Sequence, residues 1–468
     1  MRGIVSYGAY VPYWRIDRKA IGEALGTPAG TGTRAVASYD EDTTSMGVEA
    51  GRAALHGIGP DVPAAIYFAT SDPPYLDKTN ATAVHAALDL GAGAMAFDML
   101  GAVRSAAGAL RAALDARAPV LAVMADVRIG LPGGGDERDG GDGAAAFLCG
   151  EDGVLAEVVG AASATAEFLD RWRLPADATS RQWEERFGEA AYVPLGERAL
   201  GEALKQAGVT AQAVTRLVVA GPHGRAVKRV AAGAGVKKEA VADDLTAAIG
   251  NTGAAHAGLL LADALDRAQP DELIAVVSLA DGADASVWRT TRAIAARRAA
   301  TTVAGQIASA NGRVSYATWL TWRGFLRREP PRRPDPQGPE APPSLRHEAW
   351  KFAFTGSRCQ ACGTRHLPPQ RVCVKCHAID RMAPERLADV PATIATFTID
   401  RLAFSPSPPM VAAVIDFDGG GRYQCELTDV DPKAVAIGGR VEMTFRRLIT
   451  AGGVHNYFWK GRPIRKSG

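Results

Sequence analysis

Up to about residue 325, short uninterrupted apolar runs alternate with longer Ala-rich stretches. Continuous apolar runs flanked by helical stretches predict strands in a sheet covered on both faces. The pattern also repeats. Residues 64–72 resemble 216–223, each a buried run ending in polar residues. Residues 119–126 resemble 273–281, and each of these is followed by a Gly-rich turn and a further strand, at 143–149 and 285–289. A duplicated α/β core is expected, with ligand chemistry at strand ends and helix N-termini. The plainer alternative is an ordinary doubly wound domain with a chance repeat.

The texture then changes. Residues 327–343 are polar and crowded with proline, a composition expected to hold neither a helix nor a central strand and to form an extended linker. Beyond it lie strand-like runs at 393–399, Met410–Phe417, Arg422–Leu427 and 440–447. Asp418-Gly419-Gly420-Gly421 is a natural hairpin turn between two of them. Short strands closing on one another predict a small barrel of OB type.

The chain has 468 residues, 47% hydrophobic and 22% charged, which fits an ordinary globular protein of about three domains. A net charge of +2 implies no strong pull toward nucleic acid or anionic lipid. No apolar run approaches the ~20 residues of a membrane helix. The N-terminus lacks a secretory pattern, so a cytoplasmic location is expected.

Six cysteines sharpen the picture. Cys359-x2-Cys362 and Cys373-x2-Cys376 have the spacing of two zinc knuckles, four thiolates satisfying one tetrahedral ion. With no open ligand position the expected zinc is structural. Gly363 permits the first tight turn, and His366 and His377 are surplus. Cys149 and Cys425 sit alone in strand-like runs.

Several motifs carry a resemblance. Gly3–Ile16 reads as an opening strand and turn; Asp40-Glu41-Asp42 with Met46 and Ala50 starts a helix; Gly250-Asn251-Thr252-Gly253-Ala254-Ala255 is the most specific segment. Together, residues 1–325 resemble the thiolase superfamily, specifically the HMG-CoA synthases and 3-ketoacyl-ACP synthase III. Residues 345–468 resemble the DUF35 family, a zinc ribbon plus OB fold. This similarity is carried by Phe404-Ser405-Pro406, Phe417-Asp418-Gly419-Gly420-Gly421-Arg422, Phe445-Arg446-Arg447 and the run from Gly453 to Lys460. The expected domains are therefore a thiolase-like unit at 1–325, a linker at 326–345, a ribbon at 346–386 and an OB barrel at 387–468.

The resemblance implies a nucleophilic cysteine after Ala96-Phe97-Asp98, at a helix N-terminus where the dipole stabilises a thiolate. Val103 stands there, and valine forms no thioester. Ser105 is displaced around the helix and Cys149 is expected in the core, so neither replaces it. The resemblance also implies that Asn251 and His223, the latter following a buried strand, bind a thioester carbonyl, two donors stabilising an enolate. His256 is expected to be packed. Asp72 is the candidate for the family's acid/base carboxylate, with a one-residue gap, or else it merely starts a turn before two prolines.

The expected ligand is an acyl-CoA or acyl-carrier thioester. The expected chemistry is C–C bond formation or cleavage of aldol or Claisen type without an acyl-enzyme. A non-catalytic CoA-ester-binding scaffold partnered with another thiolase-fold subunit, and an acyltransferase using another nucleophile, stay open. A homodimer is implied by the resemblance. Arg446, Arg447, Tyr457, Trp459 and Lys460 could line a nucleic-acid groove, face CoA phosphates or form a solvated surface; nucleic acid is not the expected partner. Arg225 and Lys228 are similarly open.

Overall fold

The computed structural model describes residues 2–28, 30–59, 62–175, 177–332 and 337–465. Its centre is a nine-stranded sheet. The strands are β1 (Gly3–Tyr10), β2 (Ala65–Thr70), β3 (Met95–Leu100), β4 (Val120–Val127), β5 (Asp142–Gly150), β6 (Ala156–Ala164), β7 (Arg216–Ala220), β8 (Leu273–Leu279) and β9 (Ala283–Thr290). Their spatial order is β7-β8-β9-β6-β1-β5-β4-β2-β3.

The expected duplication is visible in that order. On one side, β2 pairs parallel with β3 and β4, and β5 runs antiparallel to both β4 and β1. On the other, β7 pairs parallel with β8, and β9 runs antiparallel to β8 and β6. A parallel bridge from Leu217 to Val241 marks where a counterpart of β3 would lie. Within the sheet the halves join where β1 pairs antiparallel with β6 through Gly3–Glu157 and Ile4–Ala156. Every residue of β1, β4 and β5 is buried, which explains their uninterrupted apolar runs.

Helices α1 (Thr43–Leu55), α2 (Ser105–Asp115), α3 (Glu185–Ala207), α4 (Gly224–Gly233) and α5 (His256–Arg267) flank the sheet. Asp42 caps α1 in a reciprocal capping box with Ser45. Gly8 lies against α1 so closely that a Cβ would sit 2.4 Å from the Ala50 carbonyl oxygen. Among the described residues no helix is long and apolar enough to cross a membrane.

The expected linker is not wholly extended. Ala341–Arg346 is a short helix, with proline at its first positions, where no N–H is needed for an intrahelical bond. Residues 333–336 of that linker lie outside the described residues. The ribbon follows as a three-stranded sheet of β10 (Thr355–Cys359), β11 (Arg365–His366) and β12 (Met382–Arg386). A closed five-stranded barrel completes the chain. Its strands are β13 (Ala392–Asp400), β14 (Met410–Phe417), β15 (Arg422–Leu427), β16 (Arg440–Ala451) and β17 (Val454–Pro463). Gly419, Gly420 and Gly421 all have positive φ, as the β14–β15 hairpin turn requires.

The barrel is fused to the core, and this corrects the reading of its basic residues. Arg446 and Lys460 are almost fully buried. Arg446 pairs with Glu41, with Asp429 at 2.6 Å and with Asp40 at 3.7 Å. Lys460 reaches Asp40 and Glu426, each at 3.0 Å. The Arg447 backbone N–H donates to the Asp40 carbonyl, and the Tyr457 hydroxyl to Asp42 at 2.7 Å. Trp459 donates its indole N–H to the Phe352 carbonyl. Arg446, Lys460 and Tyr457 are therefore turned inward, where they satisfy the Asp40-Glu41-Asp42 triplet that starts α1, and Trp459 is buried beside them, while the Arg447 side chain stays partly exposed. Burial would push the Asp40 carboxyl up, but Lys460 and Arg446 outweigh it and hold it at about 2. One hydrophobic cluster runs from Met46 and Val48 of α1 through to Phe445 and Trp459 of the barrel.

Candidate functional site

Strand β7 ends at Ala220, and the chain turns through Gly221 and Pro222 to His223, the N-cap of α4. His223 is buried, and its Nδ1 accepts from the Ala226 N–H at 3.1 Å. Nε2 therefore carries the proton, donating to the Glu185 carbonyl at 2.8 Å. Asn251 sits between the short helix Thr246–Ile249 and a 3₁₀ turn. Its Nδ2 donates to the Gly221 carbonyl at 2.7 Å, and its Oδ1 accepts from the Gly253 N–H at 2.9 Å. The loop after β7 and the segment before α5 thus lock together. The structure brings both expected residues to one cavity of about 530 Å³, whose wall also includes Arg18, Arg138, Lys228 and Trp183.

His256 begins α5 and borders the same cavity. It is buried, burial pushes its pKa down to about 4, and its Nδ1 accepts from the Thr252 N–H. It is thus a packed neutral imidazole, as expected. Lys228 lines the cavity, whereas Arg225 pairs with Glu185 at 2.9 Å.

Val103 lies in the turn from β3 into α2, the place expected for a nucleophile. It faces a second, smaller cavity of about 90 Å³, which also contains Ser71, Arg128, Arg171, Arg173 and Tyr192. Arg171 pairs with Asp136, and Arg128 approaches Asp136 at 3.6 Å and Asp126 at 3.7 Å. Asp126 is buried and accepts from the Ser71 N–H, the Ser71 hydroxyl and the Ala254 N–H, tying the ends of β2 and β4 to the start of α5. Ser105 donates to the Leu100 carbonyl, and the Cys149 thiol is pushed up to about 12 by burial.

Asp72 lines neither cavity. It follows Ser71, and Arg173 approaches it at 3.5 Å. Burial and the Asp126 carboxylate push its carboxyl up to about 6, against the pull of Arg173 and Arg128. A carboxyl that holds its proton more tightly folded than unfolded loses the chain stability as pH rises from about 4 to 6. Asp72→Asn is expected to flatten that decline in urea-unfolding midpoints; a profile parallel to the parent chain's would contradict this placement.

Sequence reading missed Asp170, Arg171 and Arg173. Asp170 is 1% exposed, and burial raises its pKa while His223 lowers it. A Cβ at Gly188 would lie 2.5 Å from His223 Cδ2 and 2.7 Å from Asp170 Oδ1. Glycine there lets the imidazole and the carboxylate share one face of α3. The strands involved, Arg171–Trp172 and Arg181–Gln182, are two residues each, too short to leave a periodic signal.

In the ribbon, the four expected cysteines place their sulfurs within 4.8 Å of one another. Cys359–Cys376 and Cys362–Cys373 are 3.6 and 3.5 Å apart. Tetrahedral zinc with ~2.3 Å bonds sets sulfurs roughly 3.8 Å apart, so the donor set fits it. Gly363 has φ +76° at the first knuckle. Buried His366 accepts from the Val374 N–H through Nε2 and supports the second knuckle from outside the ligand set. About one zinc per chain is expected by atomic absorption, falling to background in Cys359→Ser/Cys373→Ser; undiminished zinc in that variant would exclude the site.

Comparisons with known proteins agree with this fold. Residues 204–289 match the C-terminal family of 3-oxoacyl-[acyl-carrier-protein] synthase III. Residues 352–379 match the rubredoxin-like zinc ribbon domain of ChsH2, and 385–446 its C-terminal OB-fold domain. MvaS in complex with 3-hydroxy-3-methylglutaryl coenzyme A shares the fold at a TM-score of 0.58 and 19% identity, over 72% of this chain and 94% of that one. Synthase III from Aquifex aeolicus does so at 0.55 and 21%, over 62% and 100%. The hydroxymethylglutaryl-CoA synthase of Archaeoglobus fulgidus is 32% identical over 311 residues, 63% of this chain and 90% of its own length. That of Methanosphaera stadtmanae is 30% identical over 345 residues, 70% of this chain and 99% of its own length. With nearly the whole of such a relative matched and the sheet, turns and Asn251 segment in place, the chain belongs to the hydroxymethylglutaryl-CoA synthase family.

Proposed function

We propose that the chain binds a coenzyme A or acyl-carrier thioester in the His223–Asn251 cavity. There it makes or breaks a carbon–carbon bond by aldol or Claisen-type chemistry, without an acyl-enzyme. One observation carries the reading: His223 and Asn251 share a cavity, while Val103 occupies the nucleophile's position. A ligand carbonyl replacing the Glu185 carbonyl would take the His223 Nε2 hydrogen bond. Asn251 has a second Nδ2 hydrogen beyond the one given to Gly221. Two such donors on one oxygen stabilise an enolate, and the imidazole can move the proton. Arg18, Arg138 and Lys228 suit the phosphates of CoA. Asp72 stays in the reading as the carboxyl behind Ser71, its proton affinity raised by burial to about 6. The zinc is structural, since four thiolates leave no open position.

A second reading, a CoA-ester-binding subunit without turnover, is favoured by the two hydrogen bonds that already engage His223. An acyltransferase route lacks a competent nucleophile at Ser105 or Cys149. A homodimer is proposed through the edge of β3, where Met95 and Phe97 are exposed. The deciding experiment is intact-protein mass spectrometry after incubation with acetyl-, acetoacetyl-, HMG- and longer 3-hydroxyacyl-CoAs, with the CoA pool read from the same tube. A changed pool with no protein adduct is expected. An acyl adduct would overturn the reading in favour of a covalent route, and a bound but unchanged pool would favour the silent subunit.

A further inference from the structure

A third cavity, of about 520 Å³, lies between α2, α5 and the inner face of β6, β8 and β9. Its wall is apolar, built from Val103, Leu110, Met124, Leu261, Val276 and Trp288 among others. The polar groups at its rim answer one another. Arg104 pairs with Asp284 at 2.8 Å, Ser163 donates to Asp284 at 2.6 Å, and the Trp288 indole N–H is given to Ser286 at 2.8 Å. A ligand here has few hydrogen bonds to make, so the space suits hydrocarbon.

The cavity meets the candidate site. Gly221, whose carbonyl holds Asn251, borders both this cavity and that of His223. Gly253, whose N–H binds Asn251 Oδ1, borders it as well. Gly221 and Ala220 line both cavities, and neither carries a side chain larger than a methyl to divide them. A thioester carbonyl held by Asn251 therefore has an apolar chamber beside it. Its volume is of the order that encloses a whole drug-sized molecule, roughly 300–1,000 Å³, far more than a short polar acyl group fills.

We propose that this chamber is the acyl pocket and that the thioester carries a large hydrocarbon acyl group. The assignment rests on the thioester reading above and adds the substrate class. Gly108 of α2 borders the chamber, and a Cβ there would meet no atom within 4 Å. Gly108→Phe therefore starts its side chain into open space within the chamber. Ala257→Leu does so from α5 on the opposite wall.

The test is calorimetric binding of CoA, acetyl-, hexanoyl- and decanoyl-CoA to the full zinc-loaded chain. Affinity is expected to rise about 3- to 4-fold per added methylene, the factor for burying one CH₂, until the chamber is full. Both variants should flatten this series while leaving CoA and acetyl-CoA binding unchanged. Affinity independent of chain length in the parent chain, with CoA still bound, would overturn the acyl pocket and leave the thioester reading standing. A chain-length dependence untouched by either variant would also overturn it. Failure of every CoA species to bind would overturn both together.

Discussion

Arg446→Ala is expected to destabilise the folded chain by about 3–5 kcal/mol, the cost of leaving buried charges without their partner. The guanidinium is fully buried among Glu41, Asp40 and Asp429. Burial alone would lower its pKa, but Asp429 and Glu41 raise it well above the ordinary value, so the cation is fixed. Its removal leaves three carboxylates facing one another without the water that would screen them. Glu41, already raised by burial, would take up a proton at higher pH still. Urea unfolding at neutral pH reads the effect directly. Arg446→Met/Glu41→Gln should recover part of the loss, because it removes charge from both sides. A single-variant loss below about 1 kcal/mol would mean that the pair is solvated and the barrel loosely seated.

His223→Ala and Asn251→Ala are each expected to reduce turnover about 10²- to 10³-fold on whichever thioester the CoA-pool assay identifies, the usual loss on removing one oxyanion donor. Affinity for CoA itself should stay close to the parent value, since neither residue belongs to the basic rim. His223 also caps α4, so its alanine variant loses about 1 kcal/mol of stability as well. His223→Asn separates the two roles. Asparagine supplies the cap acceptor but no imidazole, so stability should return while turnover stays low. Unchanged turnover in both alanine variants would remove these residues from the chemistry.

Much of this was legible along the chain because it is local. The paired strands β2 and β7, β4 and β8, and β5 and β9 announce themselves as apolar runs, since a strand buried on both faces has no polar period to hide it. The cysteine knuckles and the Asn251 segment are likewise contiguous. What stayed hidden depends on contacts across long separations. Arg446 and Lys460 read as surface cations, because sequence does not show that Asp40 and Glu41, some 400 residues away, are waiting for them. Asp170 and Arg171 lie in a polar stretch with two-residue strands, and only the fold puts them beside His223 and Val103. Helix Ala341–Arg346 was missed because proline excludes a helix interior but not its first turn.

The lock between Arg446, Lys460 and the start of α1 bears on how such a protein could have been assembled and how it could be taken apart. The two portions are held by side chains and not by the peptide that joins them. Severing the Pro-rich segment is therefore expected to leave the two portions associated. A gene split between residues 326 and 340 would give two polypeptides that meet as subunits, with the same buried charges as their recognition code. Conversely, the core half expressed alone would present the Asp40-Glu41-Asp42 carboxylates without their cations beside bare apolar surface, a face that invites precipitation.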